Sequence, residues 1–92
     1  MKTLKKTLSE QQIQKKIINQ LEKKGYFVLK LIRTNKNGIP DLIAIKENEC
    51  FFVEVKKEDG KLSTLQKVRI EELKEKKINV KIWTGYEINF KD

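Results

Sequence analysis

The sequence predicts an α/β domain: a mixed four-stranded sheet flanked by helices, in the order α-β-β-β-α-β. Two Ser-x-x-Gln boxes, Ser9 with Gln12 and Ser63 with Gln66, stand just ahead of segments with helical apolar spacing. Three runs rich in β-branched and aromatic residues lie between them, two close enough to form a hairpin. The last strand is reached through the second helix, the length of crossover that a parallel connection needs. An antiparallel hairpin and a parallel crossover together make the sheet mixed.

In chain order, Ile13, Ile17, Ile18 and Leu21 form the apolar face of the first helix, and Gly25 is placed to end it. Its start has two readings, since Thr7 with Glu10 fits a capping box as well as Ser9 with Gln12 does. Tyr26 to Ile32 is apolar on both faces apart from Lys30, which predicts an interior strand. Arg33 to Gly38 is polar and turn-forming, and Pro40 has no amide for a central ladder, so this stretch is a loop. Asp41 to Ile45 and Cys50 to Lys56 are short strands joined around residues 46–49. After a charged loop with Gly60, Ser63 opens a helix through about Lys77 that carries Leu65, Val68, Ile70 and Leu73. Val80 to Thr84 is the last strand, and Tyr86, Ile88 and Phe90 alternate as an edge strand would. No repeat or linker divides the chain, so residues 1–92 are read as one domain.

Composition narrows the chemistry. The 92 residues include 21 Lys and Arg against 13 Asp and Glu, a formal charge of +8, with one Cys and no His. One Cys without His cannot build an internal disulfide or a Cys/His zinc site, so any metal must be held by oxygen. Absence of His also excludes His-based catalytic triads and histidine-based nucleases. No signal-like or membrane-spanning apolar run is visible, and the reading is of a soluble, cytoplasmic protein. The positive charge points to a polyanion, although all the basic residues except Arg33 and Arg69 are Lys, which also serves solubility. The Lys pairs at 5–6, 15–16, 23–24 and 76–77 are read mostly as solvated faces. Cys50 is read as a small buried residue and Trp83 as core or interface.

Alternation along the third strand puts Phe51, Val53 and Val55 on one face and Cys50, Phe52, Glu54 and Lys56 on the other. Glu54 and Lys56 are then roughly 6–7 Å apart along the strand, at the end of an apolar run. In a hairpin turning near residues 47–49, Asp41 reaches the same open end. Two carboxylates and the Val55 carbonyl offer the hard oxygen ligands that Mg²⁺ prefers, with room for water and phosphate. A neighbouring ammonium can stabilise charge on a phosphate oxygen or orient the attacking water. The bland reading is that Asp41 is a turn residue and that Glu54 and Lys56 are an exposed cross-strand face.

Gly38-Ile39-Pro40-Asp41, followed by Glu54-Val55-Lys56, resembles the PD-(D/E)xK nuclease signature. The continuation Gly60-Lys61-Leu62-Ser63-Thr64-Leu65-Gln66 resembles the virus-type replication-repair nuclease branch, VRR-NUC, whose pattern runs G-x-P-D, E-V-K and L-S-x-x-Q at a helix start. The likeness extends from the first helix to the last strand. It implies a restriction-endonuclease-like αβββαβ core in which Asp41, Glu54 and the Val55 carbonyl hold Mg²⁺ or Mn²⁺ and Lys56 is the catalytic lysine. Gln66 would position water or phosphate while still capping its helix. Glu10, in the first helix, is the candidate for a further metal-proximal carboxylate, a position that the helix dipole alone would also favour.

The function implied is a metal-dependent, structure-selective DNA endonuclease that hydrolyses phosphodiester bonds in branched or nicked DNA, like a Holliday-junction resolvase. Its setting would be DNA repair in a bacterial cell or a phage-infected host. Arg33, Lys36, Lys57, Lys61 and Ser63 are candidates for contacts to the DNA backbone, with Asn37 beside them. A homodimer would supply two sites for two strands, through Leu4 and Leu8 or the edge at Trp83. The alternative is a non-catalytic basic DNA-binding module that keeps a nuclease-like fold; an RNA-directed nuclease of the same chemistry is a further rival.

Overall fold

The computed structural model describes residues 8–85. Helix α1 spans Glu10–Lys23, strand β1 Phe27–Lys30, β2 Leu42–Lys46, β3 Glu49–Lys56, helix α2 Thr64–Glu75 and β4 Asn79–Thr84. These strands form one sheet in the order β1-β2-β3-β4. The first three are antiparallel neighbours and β4 runs parallel to β3. This is the predicted order and the predicted mixed sheet. The alternating tail Tyr86 to Phe90, Leu4 and the Thr7 capping box lie outside the described residues.

Both helices begin as a capping box. The Ser9 hydroxyl accepts from the Gln12 amide at 3.2 Å while Gln12 Oε1 accepts from the Ser9 amide at 2.9 Å, which selects the Ser9 start. Ser63 and Gln66 repeat this at 3.1 and 2.9 Å. Each helix also ends alike, the sixth residue's amide reaching back to the first carbonyl: Tyr26 to Leu21 in α1 and Ile78 to Leu73 in α2. That closure needs one residue at positive φ, which is Gly25 (φ 94°) after α1 but Lys77 (φ 66°) after α2.

The core sits on one face of the sheet. Ile13, Ile17 and Leu21 of α1 pack with Tyr26, Leu42, Ala44, Phe51, Val53, Val55 and Trp83. Phe51 stands edge-on to both Tyr26 and Trp83, at centroid distances of 5.4 and 6.1 Å. The opposite face carries Ile43, Phe52, Glu54, Val80 and Ile82, and α2 covers it from the β4 side, burying Ile70. Among the described residues, α2 leaves the β1 side of that face uncovered.

That asymmetry corrects two expectations. The first strand is an edge strand, shorter than Tyr26 to Ile32, because only its Tyr26 and Val28 side meets α1. Phe27 stays 63% exposed and Ile32 83%. Cys50 is exposed rather than buried, since it pairs with Ile45 near the hairpin turn on the uncovered face. Of the two readings of Trp83, core or interface, the core one holds for its side chain, which is 1% exposed, and Leu8 packs against the same core.

Candidate active site

The hairpin brings the two predicted carboxylates to one end. Pairing runs from Lys46↔Glu49 to Leu42↔Val53, around a two-residue turn at Glu47 and Asn48, and the next pair in this register is Asp41 with Glu54. Asn48, the second turn residue, adopts φ 60°, a left-handed conformation that Asn tolerates. β2 begins at Leu42, so no β2 residue continues the ladder beside Val55. The Asp41 carboxylate takes that place, its Oδ2 accepting from the Val55 amide at 2.8 Å. An extended residue projects its N–H and C=O from the same edge, so the Val55 carbonyl shares this edge with Asp41.

Glu54 is 1% exposed, although it sits at the end of a sheet. Its Oε2 accepts from Gln66 Nε2 at 3.2 Å and faces Lys56 Nζ at 3.8 Å. Its Oε1 is buried and receives no hydrogen bond from the protein. Gln66 therefore does two things at once: its carbonyl oxygen caps α2 and its amide nitrogen reaches the site. Glu10, the first residue of α1, turns its Oε2 towards the Lys57 amide at 3.4 Å. It lies where a side chain at Gly60 would intrude, 3.3 Å from an added Cβ.

Electrostatics follow from this crowding. Burial, reinforced by the Asp41 charge, pushes the Glu54 carboxyl up to about 8, with Lys56 pulling the other way. Burial also raises Asp41, against the lowering effect of the Val55 amide. Glu10 adds repulsion to both. Both shifts disfavour a full charge on each carboxyl of the pair. Among the described residues no three His, Cys, Asp or Glu side chains gather into one metal-ready group, so Asp41 and Glu54 stand as a pair with Glu10 at its margin.

The backbone-contact candidates are dispersed. Lys57, Lys61 and Ser63 are exposed on the segment between β3 and α2, where Ser63 is occupied as the cap. Arg33, Lys36 and Asn37 lie on the loop before Asp41 and, with Leu31, Ile32, Thr34, Gly38 and Ile39, line a concavity of about 220 Å³. Two contacts escaped the sequence reading. The Val55 amide on Asp41 is a tertiary bond with no motif of its own. Arg69, whose Nε donates to the Asn37 carbonyl at 2.8 Å, was marked only by being one of two arginines.

The fold is thus a four-stranded mixed sheet with two carboxylates and a lysine at the open end of its hairpin. The sequence profile of the VRR-NUC domain matches residues 1–87. The chain belongs to the VRR-NUC family, whose domain implies a nuclease-type fold. A solved structure titled "VRR_NUC domain" superimposes with a TM-score of 0.76 at 29% identity, over 84% of this chain and 85% of that one. No curated protein matches it significantly. No helix among the described residues is long and apolar enough to cross a membrane.

Proposed function

We propose that this chain is a divalent-metal-dependent endonuclease that hydrolyses phosphodiester bonds in DNA, selecting branched or nicked structures over a base sequence. The observation that carries this reading is the state of Glu54. A buried carboxyl beside a second carboxyl, with one oxygen lacking any donor, is costly in a finished core and fits a ligand for a hard cation. Asp41, Glu54 and the Val55 carbonyl would hold Mg²⁺ or Mn²⁺, with Glu10 close enough to add charge. The ion, when bound, supplies Lewis acidity and lowers the pKa of water.

The chain's own residues account for the rest. The Val55 amide fixes which oxygen of Asp41 is turned away from the strand. Gln66 and Lys56 both hold Glu54 Oε2, which orients its other oxygen outward from them. The Lys56 ammonium, at the tip of a side chain 11% exposed, is placed to meet charge growing on a phosphate oxygen. Lys57, Lys61, Arg33 and Lys36 would contact backbone phosphates, which are read without regard to sequence. A homodimer in the bacterial or phage-infected cytoplasm would offer two such sites, and exposed Phe27, Leu29 and Ile45 are the apolar side chains such a contact has to cover.

The test is to incubate the protein with a four-way junction, a nicked duplex and a linear duplex, in Mg²⁺, Mn²⁺ or EDTA. Metal-dependent cleavage of the junction or nicked substrate, lost in Asp41→Ala and Lys56→Ala, is the expected result. Identical products from wild type and variants, or none with any metal, would leave a basic binding module. Matched RNA junctions as competitors decide the nucleic acid.

A further inference from the structure

We infer that Arg69 is a positioning residue, a latch that locks the loop carrying Asp41 onto the helix carrying Gln66. This rests on the site proposed above, whose two halves come from separate elements. Asp41 ends the loop after β1, whereas Gln66 belongs to α2, and nothing in the hairpin register ties one to the other.

The loop is closed at its base, the Leu31 amide donating to the Asp41 carbonyl at 2.8 Å. At its tip it lies on α2. Arg69 Nε donates to the Asn37 carbonyl at 2.8 Å, and Nη1 is held by Glu72 Oε1 at 2.8 Å. The guanidinium is thereby aimed by its own helix, and its planar fork makes both bonds at once. Beside it Gly38, at φ 81°, approaches so closely that an added Cβ would stand 2.8 Å from Leu65 Cγ and 3.3 Å from Arg69 Cγ. Loop and helix therefore meet as a fitted surface, three residues from Gln66. Displacing the loop moves Asp41, and the Val55 amide then loses its acceptor.

That last bond supplies a readout independent of cleavage. Hydrogen exchange of the Val55 and Leu31 amides is followed without metal or DNA in wild type, Arg69→Ala, Arg69→Lys and the surface control Lys67→Ala. Gly38→Ala pushes the loop off the helix from the other side and serves where Arg69→Ala fails to fold. Both latch variants should speed exchange at Val55 and Leu31 by about tenfold or more while Val53 keeps its protection, and Arg69→Lys should recover part of it. In cleavage, kcat should fall about 10- to 100-fold at nearly unchanged KM, as for a displaced catalytic group.

Unchanged exchange at Val55, or an equal loss at Val55 and Val53, would overturn the latch. So would weaker DNA binding at normal kcat with the log–log salt slope reduced by about 0.9, which marks a phosphate contact. Should wild type cleave nothing under any metal, the nuclease reading falls, while amide exchange still decides the latch.

Discussion

Helices α1 and α2 share a beginning and an end yet do different work. Each opens with the same Ser-x-x-Gln box and closes with the same backward hydrogen bonds. α1 then buries Ile13, Ile17 and Leu21 in the core, whereas α2 buries only Ile70 and leaves Leu65 and Val68 exposed. Among the described residues Gln12 serves only its cap, while Gln66 has Glu54 beneath it and serves cap and site together. Identical local chemistry acquires a function only from what the sheet places against it.

Expected effects, in descending size, bear on that contrast. Glu54→Gln should cut junction cleavage by about a thousandfold or more, the scale of losing a charge-stabilising group. Binding should stay within a few-fold, because the basic surface is untouched; binding lost together with cleavage would make Glu54 structural. Ile17→Ala, at 0% exposure, should destabilise by about 2–5 kcal/mol, and Val68→Ala, at 45%, by no more than about 0.5 kcal/mol in denaturant titration. Similar losses for the two would mean that α2 is covered by something in solution.

Gln12→Ala and Gln66→Ala should weaken their caps alike, by up to about 1 kcal/mol. Only the latter should slow cleavage, by about 10- to 100-fold, as for partners that orient a ligand. Equal activity in the two would assign Gln66 to capping alone. At the helix ends, Lys77→Gly should stabilise modestly, since relieving a left-handed Lys returns about 1–2 kcal/mol and the added chain entropy removes about 0.5–1. Gly25→Ala should do the reverse, and thermal unfolding reads both.

Glu54 also sets a pH dependence. Its folded carboxyl is raised from 4.5 to about 8, so between those values the native state holds a proton that the unfolded chain has released. Stability is therefore highest below about 4.5 from this group and declines as pH rises through 8, the opposite of a salt-bridged carboxylate. In EDTA the Tm should fall over that range in wild type and stay flat in Glu54→Gln. Mn²⁺ at pH 8 should restore it by binding the native state alone. A flat wild-type profile would show that Glu54 is already ionised and solvated.

Much of this was legible because it is local or periodic. Alternation along residues 50–56 and the sum rule of a hairpin suffice to bring Asp41 and Glu54 to one end, and they did. Two residues nearer the turn paired than expected, Lys46 with Glu49, without moving the carboxylates. The first strand misled because its apolar residues on both faces imply two coverings, while only α1 supplies one. Nothing in Phe27 or Cys50 shows whether α2 will reach it.

What the sequence determined by itself is whatever depends on neighbours within a few residues: the caps, the turn at Asn48, the strand faces, and the exclusion of histidine and cysteine chemistry. The tertiary structure alone decided that Gln66 caps and also reaches Glu54, that Asp41 takes the Val55 amide, and that Arg69 faces inward to Asn37. Those bonds join residues 12, 14 and 32 positions apart. Their partners meet only after the sheet has formed, because hydrogen bonds act over about 3 Å and leave no periodic trace along the chain.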